Sequence, residues 1–161
     1  MTPMALLRQW HETPSIEFDD GSAAMQVRDI MTTDVRVAAP DDDLQKAAAT
    51  MAQDGFGSLP VVDGGKLVGM LTDRDITVRA VARGLSPAKC TVREVMSPDV
   101  RFVYDDESVE DAAAAMSKLK VRRLPVLDAH HRLVGIVALA DVAVTEPEPA
   151  GVALTSISQP G

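Results

Sequence analysis

Aromatic residues make up only 3% of this 161-residue chain: one Trp, one Tyr and three Phe. So few rings argue against a base-stacking nucleic-acid platform. Cysteine occurs once, as Cys90, which excludes an internal disulfide and a multi-cysteine zinc site and fits a reducing compartment. Long apolar runs are missing too. The most apolar stretch, residues 133–144, is interrupted by Asp141, whereas a membrane span needs roughly 20 residues. Residues 4–7 are apolar but stop at Arg8, too short for the apolar region of a signal peptide. Positive charge is in deficit, with a formal net charge of -8. Duplex-binding proteins normally show a basic surface. The expectation is a cytoplasmic protein with neither nucleic acid nor membrane as a partner.

What is present is globular in character. Hydrophobic residues are 46% and charged residues 25% of the chain, which excludes wholesale disorder and fits one ordinary domain or two very small ones sharing a core. The acidity is concentrated at the ends. In residues 1–24 Arg8 stands against Glu12, Glu17, Asp19 and Asp20, and residues 142–161 carry Glu146 and Glu148 without a base. The middle is nearly balanced.

The chain repeats itself. Val27-Arg28-Asp29-Ile30-Met31 matches Val92-Arg93-Glu94-Val95-Met96, Leu59-Pro60-Val61 matches Leu124-Pro125-Val126, and Leu67-Val68-Gly69 matches Leu133-Val134-Gly135. Across residues 27–63 and 67–76, 19 of 47 aligned positions are identical, far above chance, so the middle is a duplication. Each copy reads as β-α-β-β-α. A short strand, 35–38 or 100–103, precedes a helix opened by acids: Asp41-Asp42-Asp43, or Asp105-Asp106-Glu107. Negative charge there suits the positive end of the helix dipole. Leu44, Ala47, Ala48 and Met51, repeated as Val109, Ala112, Ala113 and Met116, fall at i, i+3, i+4 and i+7, the apolar face of a helix. Both Met residues belong to that face and read as core. Strands follow at 59–62 or 124–127 and at 67–71 or 133–137, joined in copy one by Gly64-Gly65, a hairpin signal. A second helix begins near Asp73 or Leu139. One unit is too small to bury its own sheet, so the two are expected to pack about a pseudo-two-fold axis.

These residues give the chain a family likeness. Asp29-Ile30-Met31-Thr32, Leu59-Pro60-Val61-Val62-Asp63 and Gly69-Met70-Leu71-Thr72-Asp73-Arg74-Asp75, with Val121-Arg122-Arg123-Leu124-Pro125-Val126 and Leu133-Val134-Gly135-Ile136-Val137 running on to Asp141, resemble two CBS domains in tandem, a Bateman module. The likeness covers about residues 25–145 and is nearest to small stand-alone bacterial CBS-pair proteins of the stress- and hypoxia-response type. It implies an α/β (α+β) fold with repeats at 25–84 and 85–145, an N-terminal extension at 1–24 and a tail at 146–161. It also implies a non-catalytic regulatory module and a homodimer. The implied ligand is AMP, ADP, ATP or S-adenosylmethionine, held between the repeats, with a signal passed to an unknown protein target. No cofactor beyond such a ligand is expected.

The resemblance assigns ligand roles to Thr72 and Asp75, which it sets against ribose hydroxyls, and to Arg122 and Arg123, which it sets against phosphate. The chemistry suits them: a carboxylate accepts two hydrogen bonds from a vicinal diol, and guanidinium matches phosphate bidentately. Each also has a plainer reading. Thr72-x-x-Asp75 fits a helix capping box, and Arg122-Arg123 an exposed basic pair. The matching positions for a second cleft are poorer. Ala138 stands where Thr72 does, Gly57-Ser58 where Arg122-Arg123 does, and only Asp141 keeps the pattern. The expectation is one competent cleft and one weak or empty.

His130-His131 in a turn reads as solvated rather than metal-binding. Cys90 lacks a visible base, and Gly64-Gly65 is a turn, since no Gly-Lys-Ser/Thr follows. At the ends, a short helix near residues 4–10 including Trp10 and a flexible tail with three prolines at 145–161 are expected.

Overall fold

The structure, a computed structural model, describes residues 24–145 and 147–159. The expected helix near residues 4–10 lies outside them. Copy one runs through α1 (Val27–Ile30), α2 (Leu44–Asp54), β1 (Ser58–Asp63), β2 (Lys66–Thr72) and α3 (Asp73–Asp75). A π turn at Ile76–Ala80 and a 3-10 turn at Val81–Arg83 extend α3. Copy two runs through α4 (Val92–Val95), β3 (Val103–Tyr104), α5 (Val109–Leu119), β4 (Arg123–Leu127), β5 (Leu133–Ala138) and α6 (Leu139–Thr145), and α7 (Pro147–Ser158) follows.

α2 and α5 begin where short polar side chains satisfy their first free N–H groups. Asp43 accepts from the Lys46 N–H at 2.8 Å, and Ser108 accepts from the Asp111 N–H at 3.0 Å. The acids of copy two thus sit just ahead of the cap that Ser108 provides. Leu44, Ala47 and Met51 of α2, and Val109, Ala112, Ala113 and Met116 of α5, are buried, as are Val61 and Val126 of the facing strands. β1 pairs antiparallel with β2, and β4 with β5. The leading strands are shorter than the sequence suggests. Copy one keeps only a parallel bridge from Ala38 to Val61, and copy two only the two-residue β3 beside β4. The physical reason is that the preceding residues are taken by the other copy: Thr32 pairs with Ile136, and Ser97 with Met70.

That exchange organises the molecule. A four-residue helix cannot hold itself together in water, and each copy's leading helix is held by the other copy. Val27, Ile30 and Met31 pack in the core of copy two with Val109, Met116 and Val126. Cys90, Val92, Val95 and Met96 pack in the core of copy one with Leu44, Leu59 and Leu71. The backbone repeats the reciprocity. The Val27 N–H donates to the Glu107 carbonyl at 2.9 Å, and the Val92 N–H to the Asp42 carbonyl at 2.8 Å. Residues 90–96, assigned by sequence to the second repeat, therefore complete the first core.

The tail is a correction. Instead of a flexible segment, residues 147–158 form α7. Pro147 and Pro149 occupy the first turn, where the missing N–H groups have no intrahelical partner to lose. Ala150, Ala153 and Ile157 then repeat at helical spacing and pack on the core of copy two, and the Ser156 hydroxyl donates to the Ser117 carbonyl at 3.3 Å.

Candidate functional site

The ends of β2 and β5 carry the candidate residues. At α3 the Thr72 hydroxyl accepts from the Asp75 N–H at 3.0 Å, and Asp75 Oδ2 accepts from the Thr72 N–H at 2.9 Å. This reciprocal pair is a capping box. Asp75 keeps its other oxygen, Oδ1, at 3.9 Å from Arg79 Nε. At α6 only half of the arrangement exists. Asp141 Oδ2 accepts from the Ala138 N–H at 2.9 Å, and the methyl of Ala138 cannot return the bond.

Each helix start is tied to the residue just ahead of its copy's inner strand. The Asp73 N–H donates to the Gly57 carbonyl at 2.9 Å, and the Leu139 N–H to the Arg122 carbonyl at 2.8 Å. Arg122 and Arg123 are thereby set at the mouth of copy two, and Gly57 and Ser58 at the mouth of copy one. Gly57 leaves room for a carboxylate: a Cβ there would stand 2.9 Å from Asp73 Oδ2.

The two mouths open into a single cleft of about 1180 Å³, somewhat larger than the usual small-molecule site. Thr72, Arg122, Arg123, Gly57, Ser58 and Ala138 all line it, so the sets expected in two clefts meet in one. Asp75 and Asp141 are not among its lining residues; they stand behind it as caps. Copy two reaches across: the Arg123 guanidinium lies 4.8 Å over the Phe56 ring of copy one, within cation-π range. Arg101 pairs with Asp99 at 3.8 Å at the rim. Among the described residues, no ion pair engages Arg74 or Arg122. Four arginines against Asp73 and Asp99 make the cleft positive within an acidic chain. Ala138, the strand partner of Arg123, begins a run of small side chains, Ala140 and Ala143, that continues into Ala150, Gly151 and Leu154 of α7 as an apolar wall.

Phe56, Arg101 and the wall from α7 were not foreseen. Phe56 had a signal, since it precedes Gly57-Ser58 as Val121 precedes Arg122-Arg123. The i, i+3, i+7 spacing of Ala150, Ala153 and Ile157 was the signal for α7. His131 stacks edge-on against Tyr104 and Phe102, whereas Cys90 is buried in the core of copy one. Burial raises the Cys90 thiol pKa, and the neighbouring Glu94 adds to the rise. The described residues contain no group of three or more His, Cys, Asp or Glu side chains placed to hold a metal ion.

Comparison with known proteins agrees with this architecture. The sequence profile of the CBS domain matches residues 27–81 and again residues 92–145. The CBS domain-containing protein YhcV of Bacillus subtilis is 46% identical over 134 residues, 82% of this chain and 94% of that protein. Hypoxic response protein 1 of Mycobacterium tuberculosis is 40% identical over 124 residues, 76% of this chain and 86% of that protein. The crystal structure of CBSX2 in complex with AMP superposes with a TM-score of 0.66 at 28% identity, covering 77% of this chain and 97% of that one. The CBS domain pair of protein MJ0100, in complex with 5-methylthioadenosine and S-adenosyl-L-methionine, gives 0.64 at 32% identity, covering 78% of this chain and 98% of that one.

Proposed function

The chain belongs to the CBS domain family, with two domains in tandem, and from that premise we propose that it is a non-catalytic regulatory module that binds an adenosine-containing ligand between its repeats and signals to a partner protein. The observation that carries this reading is the shared cleft, lined by Thr72 of copy one and by Arg122 and Arg123 of copy two. Thr72 meets a ribose hydroxyl, and the arginines meet phosphate. Asp75 holds Thr72 in place from behind the cleft, while Asp141 does the lesser service for Ala138. AMP, ADP and ATP fit this scheme whole, whereas S-adenosylmethionine, which has no phosphate, sets its carboxylate against the arginines; the AMP and S-adenosylmethionine complexes of similar CBS pairs support an adenosine-containing ligand.

The module acts in the cytoplasm as a homodimer. Among the described residues no helix is long and apolar enough to cross a membrane. Val78, Val81 and Leu85 of copy one are each exposed, and apolar surface there favours association. Sedimentation at micromolar concentration gives about twice 17.2 kDa; a concentration-independent monomer removes the dimer from this reading.

Thermal shift with AMP, ADP, ATP, S-adenosylmethionine and adenosine tests the ligand. A ligand at a hundred times its Kd stabilises by about 2.7 kcal/mol, a plain rise in Tm. A second reading, a scaffold acting through protein contacts alone, is favoured by one observation: Thr72 and Asp75 already satisfy each other in the capping box. No shift with any of the five ligands establishes that second reading instead.

A further inference from the structure

We infer that α7 belongs to the ligand site: it forms the wall against which the base of an adenosine-containing ligand lies, and occupancy of the cleft holds this helix on copy two. The inference rests on the ligand reading above. Pro147, Ala150, Gly151 and Leu154 recur at i, i+3, i+4 and i+7, and all four line the cleft. The adjoining face, Ala150, Ala153 and Ile157, packs on the core of copy two. One helix therefore touches core and cleft together, with Ala150 in both contacts.

The cleft is unequal because of α7. Among the described residues copy one has no counterpart helix, and its half of the cleft presents Thr72, Asp73 and Arg74. The half next to α7 presents the methyls of Ala138, Ala140 and Ala143, with Arg122 and Arg123 at its mouth. An apolar, flat group lowers its free energy by leaving water for that wall. Its polar remainder then points to the hydroxyl and the arginines.

The helix lies along α5 and α6, but few of its side chains are buried. Its buried contacts are two alanine methyls, part of Ile157 and one hydroxyl bond to Ser117. Gly151 lies within it, where glycine weakens a helix, and Val152 is 68% exposed. Such an element opens more readily than the sheets it rests on. If the ligand binds better when α7 is docked, then docking and binding must favour each other equally.

The test uses the full chain and AMP, followed by hydrogen exchange and calorimetric titration. With AMP at a hundred times its Kd, amides of residues 153–157 exchange about 100-fold more slowly if undocking abolishes binding, while the exposed Gly64-Gly65 turn is unchanged. Gly151 lines the cleft, and a Cβ there meets nothing within 4 Å, so Gly151→Phe adds bulk to the cleft wall. It lowers AMP affinity at least tenfold with Tm held, while Val152→Ala, on the exposed face of α7 away from the cleft lining, binds as the native chain does. AMP binding with unchanged α7 exchange, or equal affinity in Gly151→Phe, overturns the inference and leaves the ligand reading standing. If none of the adenosine ligands binds the native chain, the ligand reading fails and takes this inference with it. If Gly151→Phe lowers Tm, Leu154→Ala replaces it: removing part of the wall weakens AMP by several-fold, and no change in affinity counts against the wall.

Discussion

Two glycines let the copies interlock, and neither is needed for a turn. A Cβ at Gly135 would stand 2.6 Å from Met31 Sδ and 2.9 Å from the Thr32 carbonyl; one at Gly69 would stand 2.7 Å from Met96 Sδ and 3.1 Å from the Ser97 carbonyl. The sulfur ends a flexible side chain and moves cheaply, whereas the carbonyl belongs to the pairing of Thr32 with Ile136. Gly135→Ala therefore costs about 1–3 kcal/mol by overpacking, and Gly69→Ala less, read from urea midpoints. Equal costs contradict this account of the exchange. Glu107 sits at the same junction, since its carbonyl receives the Val27 N–H. Burial pushes its carboxyl up to about 7, against a backbone hydrogen bond from Tyr104, with repulsion from Asp111 and Asp106 adding to the rise. A raised carboxyl binds its proton more tightly in the folded state, so this group's contribution to stability falls as pH rises from about 4.5 to about 7. Glu107→Gln removes that fall. Urea midpoints at pH 5 and pH 8 check it, and an unchanged pH profile in the variant is the contrary result. Asp42, with its lysine partner Lys46, and Glu94, with backbone and hydroxyl bonds from Thr91, have lowered pKa values. They act with the opposite sign, below that window.

Helix ends decide more here than helix interiors. Gly151 lies within α7, has open space where its Cβ would be and does not adopt a positive φ. Gly151→Ala therefore stabilises by about 0.5–1 kcal/mol through backbone entropy. A rise in Tm is expected, and a fall means that α7 is not helical there in solution. The periodic elements were legible in the sequence, because Leu44 to Met51 and Val109 to Met116 declare a buried face by spacing alone. What escaped was set by partners distant in the chain. The leading strands were overread because sequence periodicity does not say that Thr32 and Ser97 pair with the opposite copy. α7 was read as a tail because prolines at 147 and 149 weigh against a helix unless they are recognised as its first turn. The Thr72 and Asp75 pattern was legible as two things at once, and the structure forms the cap while placing only Thr72 on the cleft wall.

At the scale of the molecule, neither copy owns its core. Residues 25–84 alone lack Cys90, Val92 and Val95, which are buried in the first core, and residues 85–161 alone lack Val27 from the second. The whole chain thus unfolds in one cooperative transition, and each half alone is unfolded by circular dichroism; a half that folds by itself refutes the interlocked arrangement. The same interlock brings Thr72 of one copy and Arg122 and Arg123 of the other to a common cleft, and that convergence is the central claim. Calorimetric titration of AMP and of adenosine into the native chain and into the Arg122→Ala, Arg123→Ala double variant tests it most directly. A hydrogen bond to a charged group contributes about 1.5–3 kcal/mol, so AMP affinity falls at least about 10-fold, and about 150-fold at the upper figure. Adenosine, which has no phosphate to lose, keeps its affinity within about threefold, since that is less than 1 kcal/mol. AMP binding that survives the double substitution, or a loss of equal size for adenosine, contradicts the assignment of the arginine pair to phosphate.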